Sequence, residues 1–181
     1  MAATKELIKR IRLTTSAASI TFYNIPQDFD GLELVVSART SNTGVGGYAM
    51  LDFNGDTSNT TQRHLHGNGS SAASYTYTNQ AFFYVNGAST TANTFSNARI
   101  FIPKYALTGA KSASIDAVIE NNDINSSQNL TAHLWTGTAA LTSIRLVAAD
   151  SSLVRTGNFV TYSSFALYGW KKGSDGITSV G

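Results

Sequence analysis

The sequence predicts an all-β protein, a single jelly-roll-like β-sandwich with a short N-terminal arm, and three observations carry that expectation. Only 13% of its 181 residues are charged, about half the roughly 25% usual in soluble domains. Long solvated helices need Glu, Lys and Arg, and these are scarce. The polar residues are instead mostly Ser, Thr, Asn and Gly, mixed with Tyr, Phe and Val. The first group makes tight corners and the second suits a pleated surface. Finally, short alternating segments are punctuated by Asn-Gly, Gly or Pro at strand-like spacing. The length suits one domain, and an apolar share of 42% is enough to build its core.

Residues 1–14 read as the arm. Leu7, Ile8 and Ile11 stand at i, i+1 and i+4, the spacing of a short helix that would need a partner to be stable. Lys5, Lys9, Arg10 and Arg12 are opposed within this stretch by Glu6 alone, so a basic arm precedes a nearly neutral body of a chain with net charge +2. No aromatic or glycine interleaving accompanies these charges. An acidic protein surface is therefore the expected partner, and nucleic acid is not. No apolar stretch with a cleavage site follows the charges, so they do not read as a secretory leader.

Residues 15–172 read as the sandwich. Ser19 to Phe22 alternates polar and apolar, and Asn24-Ile25-Pro26 breaks the run. Gly31 to Arg39 is a long strand with Leu32, Leu34 and Val36 on one face and Glu33 opposite. Tyr48 to Phe53 follows a Gly/Asn-rich loop and stops at Asn54-Gly55, the dipeptide that most readily takes positive φ. Residues 57–79 are poor in apolar side chains and predict a long exposed excursion. Strands resume at 81–85, ended by Asn86-Gly87, and at 99–102, ended by Pro103. The second half repeats the rhythm at 112–120, 130–135, 141–148, 159–162 and 164–170. Eight to ten strands are expected, with no helix inside the body. Residues 173–181, rich in Gly and Ser, read as a flexible tail. The chain lacks cysteine, which removes disulfides and thiolate metal sites, and no stretch approaches the roughly 18 apolar residues of a membrane span.

Few residues suggest chemistry. His64-Leu65-His66 places two imidazoles on one face of a strand, which can begin a metal site but needs a third ligand. A polar surface or subunit contact is the simpler reading, and no metal or other cofactor is expected. Asp52-Phe53-Asn54-Gly55-Asp56 opens like a calcium loop, but Thr57 and Arg63 stand where the EF-hand needs Gly and Glu. No Gly-x-Ser-x-Gly elbow occurs. Asp116 and Glu120 share a strand face about 13 Å apart by strand rise, too far for a glycosidase pair. An enzyme is not expected. Tyr75 and Tyr77 alternate within the polar excursion and offer either a sugar-stacking face or a subunit contact.

The run Ser19-Ile20-Thr21-Phe22-Tyr23-Asn24-Ile25-Pro26-Gln27, followed by Leu32 to Thr40, resembles the start of small virion proteins of tailed bacteriophages of aquatic bacteria such as cyanophages. The segments Leu51 to Asp56, Ala92 to Ser96, Ile102 to Tyr105, Ser114 to Asn122 and Tyr168 to Lys172 extend the likeness over nearly the whole body. The resemblance implies a structural component of the virion. Two placements follow from it. In one, the protein is a capsid decoration or cement protein on the capsid surface, a trimer whose arm grips the major capsid protein. In the other, it is a tail fibre, spike or other tail component that binds host polysaccharide. The short chain without a shaft, the basic arm and the weakly charged surface favour decoration. In that reading Leu7, Ile8 and Ile11 anchor the arm while Lys9, Arg10 and Arg12 meet acidic shell residues.

Overall fold

The computed structural model describes residues 5–122 and 126–171, and these form twelve strands and no helix. The expected tail lies outside the described residues. Every pairing between these strands is antiparallel. A four-stranded sheet runs, in spatial order, β2 (Ser19–Phe22), β11 (Ile144–Ala149), β4 (Gly46–Phe53) and β7 (Phe82–Asn86). The eight-stranded sheet starts with β1 (Lys5–Arg12), β12 (Ser164–Trp170), β3 (Gly31–Ala38) and β8 (Ser96–Pro103). It continues with β9 (Lys111–Ile119), β10 (Ser127–Trp135), β5 (Thr60–Gly67) and β6 (Ala72–Thr78). The pairs nest around the β5–β6 hairpin: β4 pairs with β7, β3 with β8, and β2 with β11. Strands β9 and β10 widen the large sheet between β8 and β5, while β12 and β1 extend it beyond β3.

The protein is thus an all-β sandwich. Alternation along each strand sends one set of side chains between the sheets. The core joins Phe22, Leu51, Phe53, Phe83 and Leu146 of the small sheet to Leu32, Leu34, Ile100, Ile115 and Phe165 of the large one. Asparagine makes many of the corners. Asn24, Asn54, Asn79, Asn93 and Asn122 all have φ between 52° and 63°, a region that asparagine tolerates better than most side chains. At Asn54-Gly55 both residues have positive φ and the Asp56 amide donates to the Phe53 carbonyl, closing the turn that the dipeptide predicts.

Four expectations need correction. The strands number twelve, because the polar excursion at 57–79 contains the β5–β6 hairpin. The arm is not helical from Lys5 to Arg12 but forms β1, hydrogen-bonded to β12. A register shift between Leu7 and Lys9 leaves Ile8 as the extra residue of a bulge. The bulge turns Ile8 and Ile11 to one side, where both pack on the core, and so imitates helical spacing within a strand. Residues 159–162 form no strand: Phe159 makes isolated bridges to Ala17 and Thr40, and Tyr162 has φ of 74°. Finally, β11 starts at Ile144, not Leu141.

Candidate functional site

Strands β5 and β10 are built inside out. Along β10, Ser127, Asn129, Thr131, His133 and Trp135 face inward and are buried, while Leu130 and Leu134 face solvent. Along β5, Gln62 and His64 are buried and Leu65 is exposed. Hydrogen bonds make this polar interior tolerable. His64 Nδ1 meets Thr131 Oγ1 at 2.9 Å, His66 Nδ1 meets Asn129 Oδ1 at 2.8 Å, and the Phe82 amide donates to Gln62 Oε1 at 3.1 Å. Other atoms meet no protein partner, namely Thr60 Oγ1, Gln62 Nε2, His64 Nε2 and both ring nitrogens of His133. Burial pushes the His133 imidazole down to about 4 and lowers that of His64 as well.

The same histidines border an aromatic layer where the sandwich closes between its edge strands β6 and β7. Tyr77 packs edge-on against Phe82 at 4.8 Å, His64 lies 5.3 Å from Tyr84, and Tyr48 meets Tyr84 at 4.7 Å. Tyr75 lies 6.3 Å from His64 and keeps an exposed ring, whereas Tyr77 is half-buried and burial raises its hydroxyl pKa. Of the two predicted contact tyrosines, only Tyr75 therefore offers much surface. Beside this layer lies a pocket of about 280 Å³ whose lining includes Tyr48, Tyr84, His66, Asn68, Ser127 and Ser151.

The outward side of the large sheet is a shallow trough of about 780 Å³. Leu65 and Leu130 are directly paired across β5 and β10, both about half exposed, and Ala132, Phe101, Arg63, Arg99 and Asp116 complete much of the surface. Asp116 is in register with Arg99, whose guanidinium is drawn away to Glu33 at 2.5 Å.

The arm residues divide by face. Ile8 and Ile11 pack on the protein's own core, while Leu7, Lys9, Arg10 and Arg12 remain exposed, Arg12 lying 5.5 Å over the Tyr162 ring. The acidic run at the β4 turn is engaged internally. Asp52 is buried between Arg145 and Arg155, and Asp56 accepts from Trp135, Ser58 and Asn59, which together hold its pKa down to about 2. Among the described residues, no three His, Cys, Asp or Glu side chains gather as a metal site around His64 and His66 or elsewhere.

Sequence reading did not single out Leu65, Leu130 and Leu134 as a face, nor Tyr48, Tyr84, Asn68 and Ser151 as one pocket. The face had a signal, since Leu130 and Leu134 have the opposite parity to Trp135 in one alternating strand. The pocket had none, because its lining is drawn from six separate stretches of chain. Comparison of the chain with protein-family models, curated proteins and solved structures matches none of them.

Proposed function

We propose that this protein is a non-enzymatic virion structural component that decorates and stabilises a phage capsid, packing against the major capsid protein and against copies of itself as a trimer. The observation that carries the reading is the leucine face of β5 and β10. A strand pair that turns Leu65, Leu130 and Leu134 to solvent while burying Asn129, Thr131 and His133 gives up core burial to keep an apolar surface outside. Contiguous apolar surface of this kind marks association sites. Burying one leucine fully contributes roughly 1.5–3 kcal/mol, and repetition over a shell multiplies the effect.

The nested pairing also supports the jelly-roll reading, with β8, β9 and β10 together in the place of one strand. The exposed basic residues Lys9, Arg10 and Arg12 line the edge of the large sheet and suit an acidic shell surface, so in this reading β1 contributes as a charged edge instead of a free arm. Mixing the protein with undecorated capsids and imaging by cryo-electron microscopy tests the proposal. Ordered density at symmetric lattice sites is expected, and Leu65→Thr with Leu130→Thr, which keep strand propensity and add no charge beside Asp116, should remove it with little change in melting temperature. Equal decoration by the double variant would overturn the role of this face. Bare shells with the normal protein would overturn the decoration reading.

A further inference from the structure

The pocket beside the aromatic layer has a chemistry distinct from the leucine face. Its walls come from the start of β4, the end of β5, β7, the end of β9, the start of β10 and the 150s loop, with Gly44 and Gly46 leaving one side free of bulk. The Tyr48 and Tyr84 rings, 4.7 Å apart between centroids, supply aromatic surface, and His66 lies 5.5 Å from Tyr84.

Its polar atoms are held for use. Asn129 Nδ2 donates to Ser127 Oγ at 3.2 Å, so Asn129 Oδ1 is the acceptor toward His66 Nδ1 at 2.8 Å. That assignment puts the proton of neutral His66 on Nδ1 and leaves Nε2 as an acceptor without a protein partner. Asn68 Oδ1 is occupied, accepting from the Ser70 and Ser71 amides at 3.1 and 2.8 Å, while its Nδ2 donor is free. The Ser127 hydroxyl accepts from Asn129 and keeps its own proton to donate. The pocket thus presents an acceptor, a donor and hydroxyls around aromatic rings.

No Lys, Arg, Asp or Glu lines it. An ion entering would lose hydration without gaining a counter-charge, so the ligand class is neutral. A neutral molecule that presents both C–H surface and ring hydroxyls is a sugar, and about 280 Å³ admits one ring, not a chain. We propose that this pocket binds a single neutral pyranose unit, its apolar face against the tyrosines and its hydroxyls on His66 Nε2, Asn68 Nδ2 and Ser127 Oγ. The interaction is weak for one copy. On a particle bearing many copies, such sites act together against a polysaccharide.

The test is ¹⁵N-resolved and saturation-transfer NMR of the full chain with methyl glucoside, galactoside and mannoside, and with sialic acid as the anionic control. At least one neutral hexoside should shift the amides of residues 44–48, 66–68 and 127, with an affinity in the millimolar range set by its few heavy atoms. Asn68→Asp retains the acceptor that caps the turn but replaces the donor with a charge, and Ser151→Trp fills the mouth. Each should weaken binding at least tenfold with the melting temperature unchanged. The proposal is overturned if no neutral hexoside binds, if shifts fall instead at Tyr75 and Tyr77, if both variants bind as well as the parent, or if sialic acid binds more tightly. Capsid decoration by Asn68→Asp is expected to be normal, so the packing role and the sugar site stand or fall separately.

Discussion

Lys5 on β1 donates its ammonium to Glu33 on β3 at 3.1 Å, reaching across the intervening strand β12. Glu33 points to the outer face of the large sheet, yet it is 2% exposed, because Arg99 at 2.5 Å and the Trp170 indole N–H at 3.1 Å close over it. Burial raises the Glu33 carboxyl pKa, but the bonds and charges of Lys5 and Arg99 together outweigh it, so the pKa lies below its ordinary value. The carboxylate pins the edge strand to the sheet interior.

Glu33→Gln should therefore lower stability by about 1–2 kcal/mol, kept modest because the Lys5 and Arg99 side chains are 35% and 61% exposed and solvent screens them. A folded pKa below the unfolded one means the stabilisation is present above the unfolded value of about 4.3 and fades as pH falls through the lower folded value. Melting curves against pH check this. Amide exchange should quicken in β1 more than in β9, and equal quickening in both would contradict the pin.

Because residues 5–12 are a strand and not a free arm, their removal has a structural consequence. Deleting residues 1–12 takes Ile8 and Ile11 off the core and uncovers the β12 edge. The expected loss is about 2–4 kcal/mol from the two partly buried isoleucines, with a tendency to associate through the bared edge. Chemical denaturation and sedimentation measure both. An unchanged midpoint would mean that β1 adds nothing to the fold.

His133 governs a second, higher pH window. Its ring is 2% exposed, lies 5.3 Å from Phe53, and has neither nitrogen bonded to the protein. The unfolded chain takes up a proton near pH 6.5 while the folded one resists to about 4. The unfolded state then binds more protons, so stability falls as pH drops from 6.5 toward 4, by up to roughly 3 kcal/mol. His64, also lowered by burial, adds to the same slope.

His133→Leu keeps similar bulk and removes two buried polar atoms, so it should raise stability at neutral pH by about 1–2 kcal/mol and flatten that window. Denaturant midpoints at pH 7, 5.5 and 4.5 provide the check. A variant less stable than the parent at pH 7 would show that the imidazole makes a bond worth keeping.

Gly169 closes the protein at its last strand, paired with Leu32 and covered by the ring of Phe29. Its backbone is extended, so conformation does not demand glycine here. Space does, because a Cβ would run into that ring. Gly169→Ala should cost about 1–3 kcal/mol through displaced packing, and Phe29→Ala in the same chain should recover part of it. Additive losses in the double variant would place the strain elsewhere.

The all-β class, most of the strand positions and the Asn-Gly turn at 54–55 were legible in the residues, since alternation and left-handed corners are local properties written in neighbouring positions. Sequence reading also placed Glu33 on the face opposite Leu32 and Leu34. It misassigned β1, where a bulge lets Ile8 and Ile11 share a face at a spacing that periodicity reads as helical. It missed β5 and β6, because strands whose inward side chains are Gln, His and Tyr do not look apolar. Tertiary structure alone decided that His64, His66 and His133 face inward, that Lys5 and Arg99 converge on Glu33, and that Tyr48, Asn68, Tyr84 and Ser151 meet. The physical reason is that strand alternation fixes which two faces exist, but only the pairing and stacking of sheets decides which face is covered and what distant residue stands opposite.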